Sequence, residues 1–83
     1  MPHVKIYSTS WCAFCKAEKK FLTEKGVKFE DVNVEEDESQ AKEMISLSGQ
    51  MGVPFTVIKK DDGSRVGILG FDQPRLVKEL GLA

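Results

Sequence analysis

The chain has 83 residues, 41% apolar and 30% charged, with 12 basic and 13 acidic side chains and a formal net charge of −1. That length supports one small core, so residues 1–83 are expected to form a single domain. The balanced charge speaks against a nucleic-acid or anionic-membrane surface, and no apolar stretch approaches the ~20 residues that a membrane span needs.

His3-Val4-Lys5-Ile6-Tyr7 alternates and is rich in strand formers, which predicts a first strand; Ser8-Thr9-Ser10 then breaks it. From Cys12 onward Phe14, Ala17, Phe21 and Leu22 fall on one helical face with lysines opposite, and Gly26 stands where a helix-ending glycine belongs. Val27 to Val34 reads as a second strand. Asp37 can cap a second helix with Gln40 as its capping-box partner, Ala41, Met44, Ile45 and Leu47 forming the apolar face and Gly49 the end.

Val53-Pro54-Phe55-Thr56-Val57-Ile58 reads as a third strand beginning at a proline, where a missing N–H is tolerated. Asp61-Asp62-Gly63 is a hairpin signal, and Arg65 to Leu69 forms the returning strand, broken by Gly70. Asp72 is placed to cap a last helix, with Pro74 in its first turn and Leu76, Val77 and Leu80 facing inward before Gly81. The order β-α-β-α-β-β-α combines a parallel crossover with a tight antiparallel hairpin. It predicts an α/β fold with a four-stranded mixed sheet covered by helices on both faces.

The charges cluster by sign. Lys16, Lys19, Lys20 and Lys25 accompany Glu18 and Glu24, while residues 30–43 are mostly acidic. Both runs read as solvated faces.

The two cysteines lie three positions apart in Trp11-Cys12-Ala13-Phe14-Cys15, between the first strand and the first helix. A disulfide closing so short a loop removes little entropy from the unfolded chain, so a structural staple is a poor account of the pair. A sulfur at a helix mouth instead has its thiolate favoured by unpaired backbone N–H groups and the helix dipole. A Cys-x-x-Cys also occurs in zinc sites, but here it supplies two of four ligands and His3 is the only histidine. The close pair, the Met1 start and the lack of a targeting segment point to a reducing cytoplasm.

The strand, the Cys12-x-x-Cys15 opening a helix, Val53-Pro54 at the third strand and Gly70-Phe71-Asp72 before the last helix together resemble the glutaredoxin-like branch of the thioredoxin superfamily. The resemblance implies a thioredoxin-like fold and a thiol–disulfide oxidoreductase acting on protein or glutathione-mixed disulfides. Cys12, with its sulfur toward solvent, would attack, and Cys15 would resolve the mixed disulfide. It further implies that Pro54 is cis and faces the disulfide, and that Val53 offers its backbone to an extended thiol peptide. Gly70 either lets a ligand approach closely or ends a strand, and in glutathione-binding relatives the residue matching Asp72 meets the tripeptide's amine. Trp11 either lies partly exposed beside the disulfide or fills the core edge, and Phe14 is divided between core and docking surface.

Three positions depart from the glutathione-binding pattern. Gly52 stands where a threonine is common, Thr9 where a lysine often pairs with a glutathione carboxylate, and Phe71 where Cys or Ser is usual. The run Gly70 to Pro74 resembles redoxins that serve ribonucleotide reductase and draw electrons from thioredoxin reductase. The resemblance therefore implies disulfide-containing protein substrates, a monomer, no tightly bound cofactor, and either glutathione or a thioredoxin-reductase-type flavoprotein as reductant. Two alternatives are a glutathione-dependent iron–sulfur cluster carrier and a non-catalytic interaction module on the same fold.

Overall fold

The computed structural model describes residues 3–50 and 52–82. Its elements follow the order β1 (His3–Ser8), α1 (Ala13–Glu24), β2 (Glu30–Asn33), α2 (Glu38–Ser48), β3 (Phe55–Lys59), β4 (Arg65–Leu69) and α3 (Gln73–Leu80). The strands lie in the order β2-β1-β3-β4, with β1 and β2 parallel and the other two pairs antiparallel. This is the mixed sheet and element order expected from the sequence.

The pleat divides the core into two layers. Val4, Ile6, Ile58 and Ile68 face Leu22 of α1 and Leu76 of α3, with Phe21, Val27, Phe29, Val66, Phe71 and Leu80 around them. On the opposite face Tyr7 and Phe55 stack with ring centroids 6.0 Å apart and meet Met44 of α2. Each fully buried aliphatic side chain stabilises the fold by about 1.5–3 kcal/mol relative to exposure.

The helix ends follow the chemistry of their caps. Lys25 closes α1, Gly26 turns left-handed at φ 73°, and the N–H groups of Gly26 and Val27 reach Thr23 O and Leu22 O. These are the two bonds of a Schellman motif. Asp37 accepts the Gln40 N–H at 3.2 Å, while the Gln40 side-chain oxygen has no partner among the described residues, so the capping box is half formed.

Four expectations need correction. β2 begins at Glu30 because Val27 to Phe29 turn into the core from a loop, and β3 begins at Phe55, leaving Val53 and Pro54 ahead of it. Leu47 is exposed because α2 buries only Met44 fully. In α1 the buried residues are Cys15, Glu18 and Leu22, while Phe14 and Ala17 face solvent. The positions 15, 18 and 22 form one helical face just as 14, 17 and 21 do, and tertiary packing selects the first.

Candidate active site

The register aligns Tyr7, Phe55 and Leu69 across three strands. The loop after β1, the residues before β3 and those after β4 therefore lie at one end of the sheet. They carry Trp11 to Cys15, Val53-Pro54 and Gly70 to Asp72, so the topology gathers all the candidate residues there.

Cys12 is the N-cap of α1, and its Sγ accepts the Cys15 backbone N–H at 3.1 Å. A sulfur in this place satisfies one of the donors that a helix start leaves unpaired, and negative charge on it is favoured by the helix dipole. Both thiols are free. Cys12 is only 7% exposed, which corrects the expectation of a sulfur turned toward solvent: the same inward turn that makes the cap covers the residue. Cys15 is fully buried. Burial, then the hydrogen bond with Cys12, pushes its thiol up to about 12, against the opposing pull of a backbone hydrogen bond from Thr9 and the charge of Lys19. The two sulfurs thus differ: one caps the start of α1, and the other is held protonated by burial one turn in.

Trp11 and Phe14 flank the dithiol at 71% and 68% exposure, so both are surface residues and neither fills the core. The loop beneath them is anchored by Glu35, whose Oε1 accepts the Ser10 N–H at 2.7 Å and the Ser10 hydroxyl at 2.8 Å. These bonds, the N–H first, hold the Glu35 carboxyl below its ordinary range. The pairing spans 25 residues and had no signal in the sequence.

Across the end of the sheet the Val53–Pro54 bond is cis, Pro54 is buried, and its carbonyl accepts the Gly70 N–H at 2.8 Å. Gly70 has φ 75°, a conformation that glycine adopts without strain. Val53 is half-buried against the Tyr7–Met44–Phe55 layer. Phe71 packs on Phe21 with centroids 5.8 Å apart, and Asp72 caps α3 by accepting the Arg75 N–H at 3.2 Å. Thr9 is buried at 6% exposure with its hydroxyl unpartnered among the described residues, so it lies under the loop and offers a ligand no charged group.

Sequence reasoning missed Glu18. Read as part of a solvated charge run, it is fully buried on α1 one turn beyond Cys15, and one carboxylate oxygen accepts the Thr56 hydroxyl. Burial raises its carboxyl to about 7, only partly opposed by that hydrogen bond. The signal that could have found it is its spacing from Cys15 and Leu22. Among the described residues no group of three or more His, Cys, Asp and Glu side chains is placed to hold a metal ion. A cavity of about 640 Å³ lined by His3, Val27, Phe29 and Leu80 opens at the opposite end of β1 and contains neither sulfur.

Residues 4–62 match the family model for glutaredoxin. The chain is 44% identical over 75 residues to a glutaredoxin-like 8.6 kDa protein in the rubredoxin operon of Clostridium pasteurianum, covering 90% of this chain and 93% of that one. It is 35% identical over 67 residues to glutaredoxin 3 of Escherichia coli K12, covering 81% and 77%. The fold superposes on the glutaredoxin-like NrdH-redoxin of Escherichia coli, described as having a thioredoxin-like activity profile, with a TM-score of 0.73, 27% identity and coverage of 98% and 97%.

Proposed function

The chain belongs to the glutaredoxin family, and from its site we propose that it is a thiol–disulfide oxidoreductase in which Cys12 attacks and Cys15 resolves. The observation that carries this reading is the Cys15 N–H to Cys12 Sγ hydrogen bond, which sets the Cys12 sulfur at the helix mouth while burial holds the Cys15 thiol protonated one turn in. In this reading Val53, Pro54 and Gly70, at the same end of the sheet as the dithiol, receive the backbone of an incoming disulfide chain, and exposed Trp11 and Phe14 supply apolar surface for it. The protein works as a monomeric carrier in a reducing cytoplasm, on protein disulfides, with no tightly bound cofactor.

For the electron donor, the buried Thr9 and the packed Phe71 support a thioredoxin-reductase-type flavoprotein over glutathione. Without a cationic side chain at position 9, a glutathione carboxylate binds about ten- to a hundredfold more weakly than it would against a lysine there. The likeness to NrdH-redoxin, with its thioredoxin-like profile, points the same way. Supplying NADPH with each reducing system and following reduction of the oxidised protein tests this. The flavoprotein system should be faster, and faster turnover with glutathione would refute the donor assignment.

A further inference from the structure

Trp11 is 71% exposed, so packing holds little of its indole. A docking side chain that moves freely has to be ordered when a partner binds, and that ordering weakens binding. Whatever fixes this indole acts through its loop.

The loop between β1 and α1 has weak support of its own. Its Cys12 N–H to Thr9 O hydrogen bond is long at 3.4 Å, and the Thr9 hydroxyl has no partner among the described residues. Glu35 supplies a hold from outside. Its Oε1 accepts both the N–H and the hydroxyl of Ser10, at 2.7 and 2.8 Å, and hydrogen bonds to a carboxylate are shorter and stronger than those between neutral groups. The Ser10 N–H, then the Ser10 hydroxyl, hold the Glu35 carboxyl low, and a hydrogen bond from the Trp11 indole adds a smaller pull in the same direction.

Glu35 is braced in turn. Its N–H donates to Asn33 Oδ1 at 2.9 Å, and the Val34 N–H donates to Ser8 O at 3.0 Å, so the carboxylate stands on an extension of the β1–β2 ladder. Cys12 is held separately by α1: its carbonyl accepts the Lys16 N–H at 3.2 Å and its sulfur the Cys15 N–H at 3.1 Å. The Glu35 clamp thus bears on the residue before the dithiol and leaves the attacking sulfur to the helix. We propose that Glu35 is a positioning residue that presets the Ser10–Trp11 segment, and with it the indole, for docking of protein disulfides.

This role rests on the reading above in which Trp11 docks protein substrates. A preset surface binds the ground state and the transition state alike, so its loss raises KM and leaves kcat unchanged. The size of the effect follows from the rotamers released. A free indole samples three staggered χ1 wells and a two-fold χ2, about six rotamers in all. With one of them fit for the partner, freeing the side chain lowers the competent fraction, and the affinity with it, by up to roughly sixfold.

The chain has a single tryptophan, so its fluorescence reports on this residue alone. Time-resolved anisotropy of the reduced full chain should show the indole turning with the whole molecule. In Glu35→Ala, a change at an exposed position, a fast local component should grow. KM for a protein disulfide should rise about three- to sixfold at constant kcat, while turnover of a small aromatic disulfide stays the same. Glu35→Gln, which keeps a carbonyl oxygen for Ser10, should restore most of both the anisotropy and the KM. Adding Glu35→Ala to Trp11→Ala should bring no further loss, because the clamp acts through the indole. An indole that already moves freely in the unmodified protein overturns the proposal without any variant. An unchanged anisotropy or KM in Glu35→Ala overturns it too, as does an equal loss on both substrates, which would place the effect on Cys12. If Trp11→Ala itself spares the protein disulfide, the docking reading fails, and the proposal with it.

Discussion

The Cys15 backbone N–H donates to Cys12 Sγ at 3.1 Å, so a sulfur occupies the N-cap place that Ser, Thr, Asp or Asn oxygens usually take. Folding and chemistry therefore draw on the same atom. Replacement by serine separates them, because a hydroxyl caps the helix and does not attack disulfides. Cys12→Ser should keep its stability within about 1 kcal/mol in urea unfolding while losing disulfide reduction completely.

Glu18 makes stability depend on pH in an unusual direction. Its carboxyl lies near 7 in the folded protein and near the ordinary 4.5 when unfolded. Between these values the folded state binds more protons, so stability falls as pH rises through that window. The loss is on the order of 2–3 kcal/mol, and Glu18→Gln should remove it, which equilibrium unfolding at pH 5 and pH 8 measures directly. Asp37, Asp62 and Glu79, whose carboxyls are lowered by hydrogen bonds or an ion pair, act in the opposite sense and below that window. Their stabilisation is present above the ordinary carboxylate range and lost as pH falls through the folded values.

Periodicity made β1, β4 and α3 legible, because each alternates or repeats cleanly and is bounded by break residues: Thr9 and Ser10 after β1, Gly63 and Gly70 on either side of β4, and Gly81 after α3. The helix phase of α1 was not legible. Phe14 looks like a core residue and Glu18 like a surface one, and both assignments reverse because the buried face is set by Cys15 at the loop, a tertiary constraint. The dithiol and the turn before β3 could be read from motif and order. The Glu35 brace and the Gly70-to-Pro54 hydrogen bond could not, since each joins residues distant in sequence.

Exposed Trp11 carries little of the fold. Trp11→Ala should change stability by less than about 0.5 kcal/mol, as surface substitutions do. Comparing kcat/KM for a protein disulfide with that for a small aromatic disulfide should show a decrease confined to the protein substrate. Equal decreases on both would mean the indole acts on Cys12 itself and does not dock partners.

Thr9 and Phe71 are embedded in the structure, so neither can be exchanged freely for the residue that glutathione-binding relatives carry. Thr9→Lys forces an ammonium beneath the loop or displaces it, at about 2–4 kcal/mol. Phe71→Ser removes the ring that packs on Phe21 and should cost about 1–3 kcal/mol. Thermal unfolding of the two variants checks both values.

The attack of Cys12 and its resolution by Cys15 are tested most directly by mass spectrometry of three proteins exposed to a peptide disulfide. The unmodified chain should end as an intramolecular Cys12–Cys15 disulfide with both peptide thiols released. Cys15→Ser should accumulate a stable adduct of one peptide on Cys12, and Cys12→Ser should remain unmodified. Adducts on Cys15 of the Cys12→Ser protein, with disulfide reduction continuing, would contradict the account.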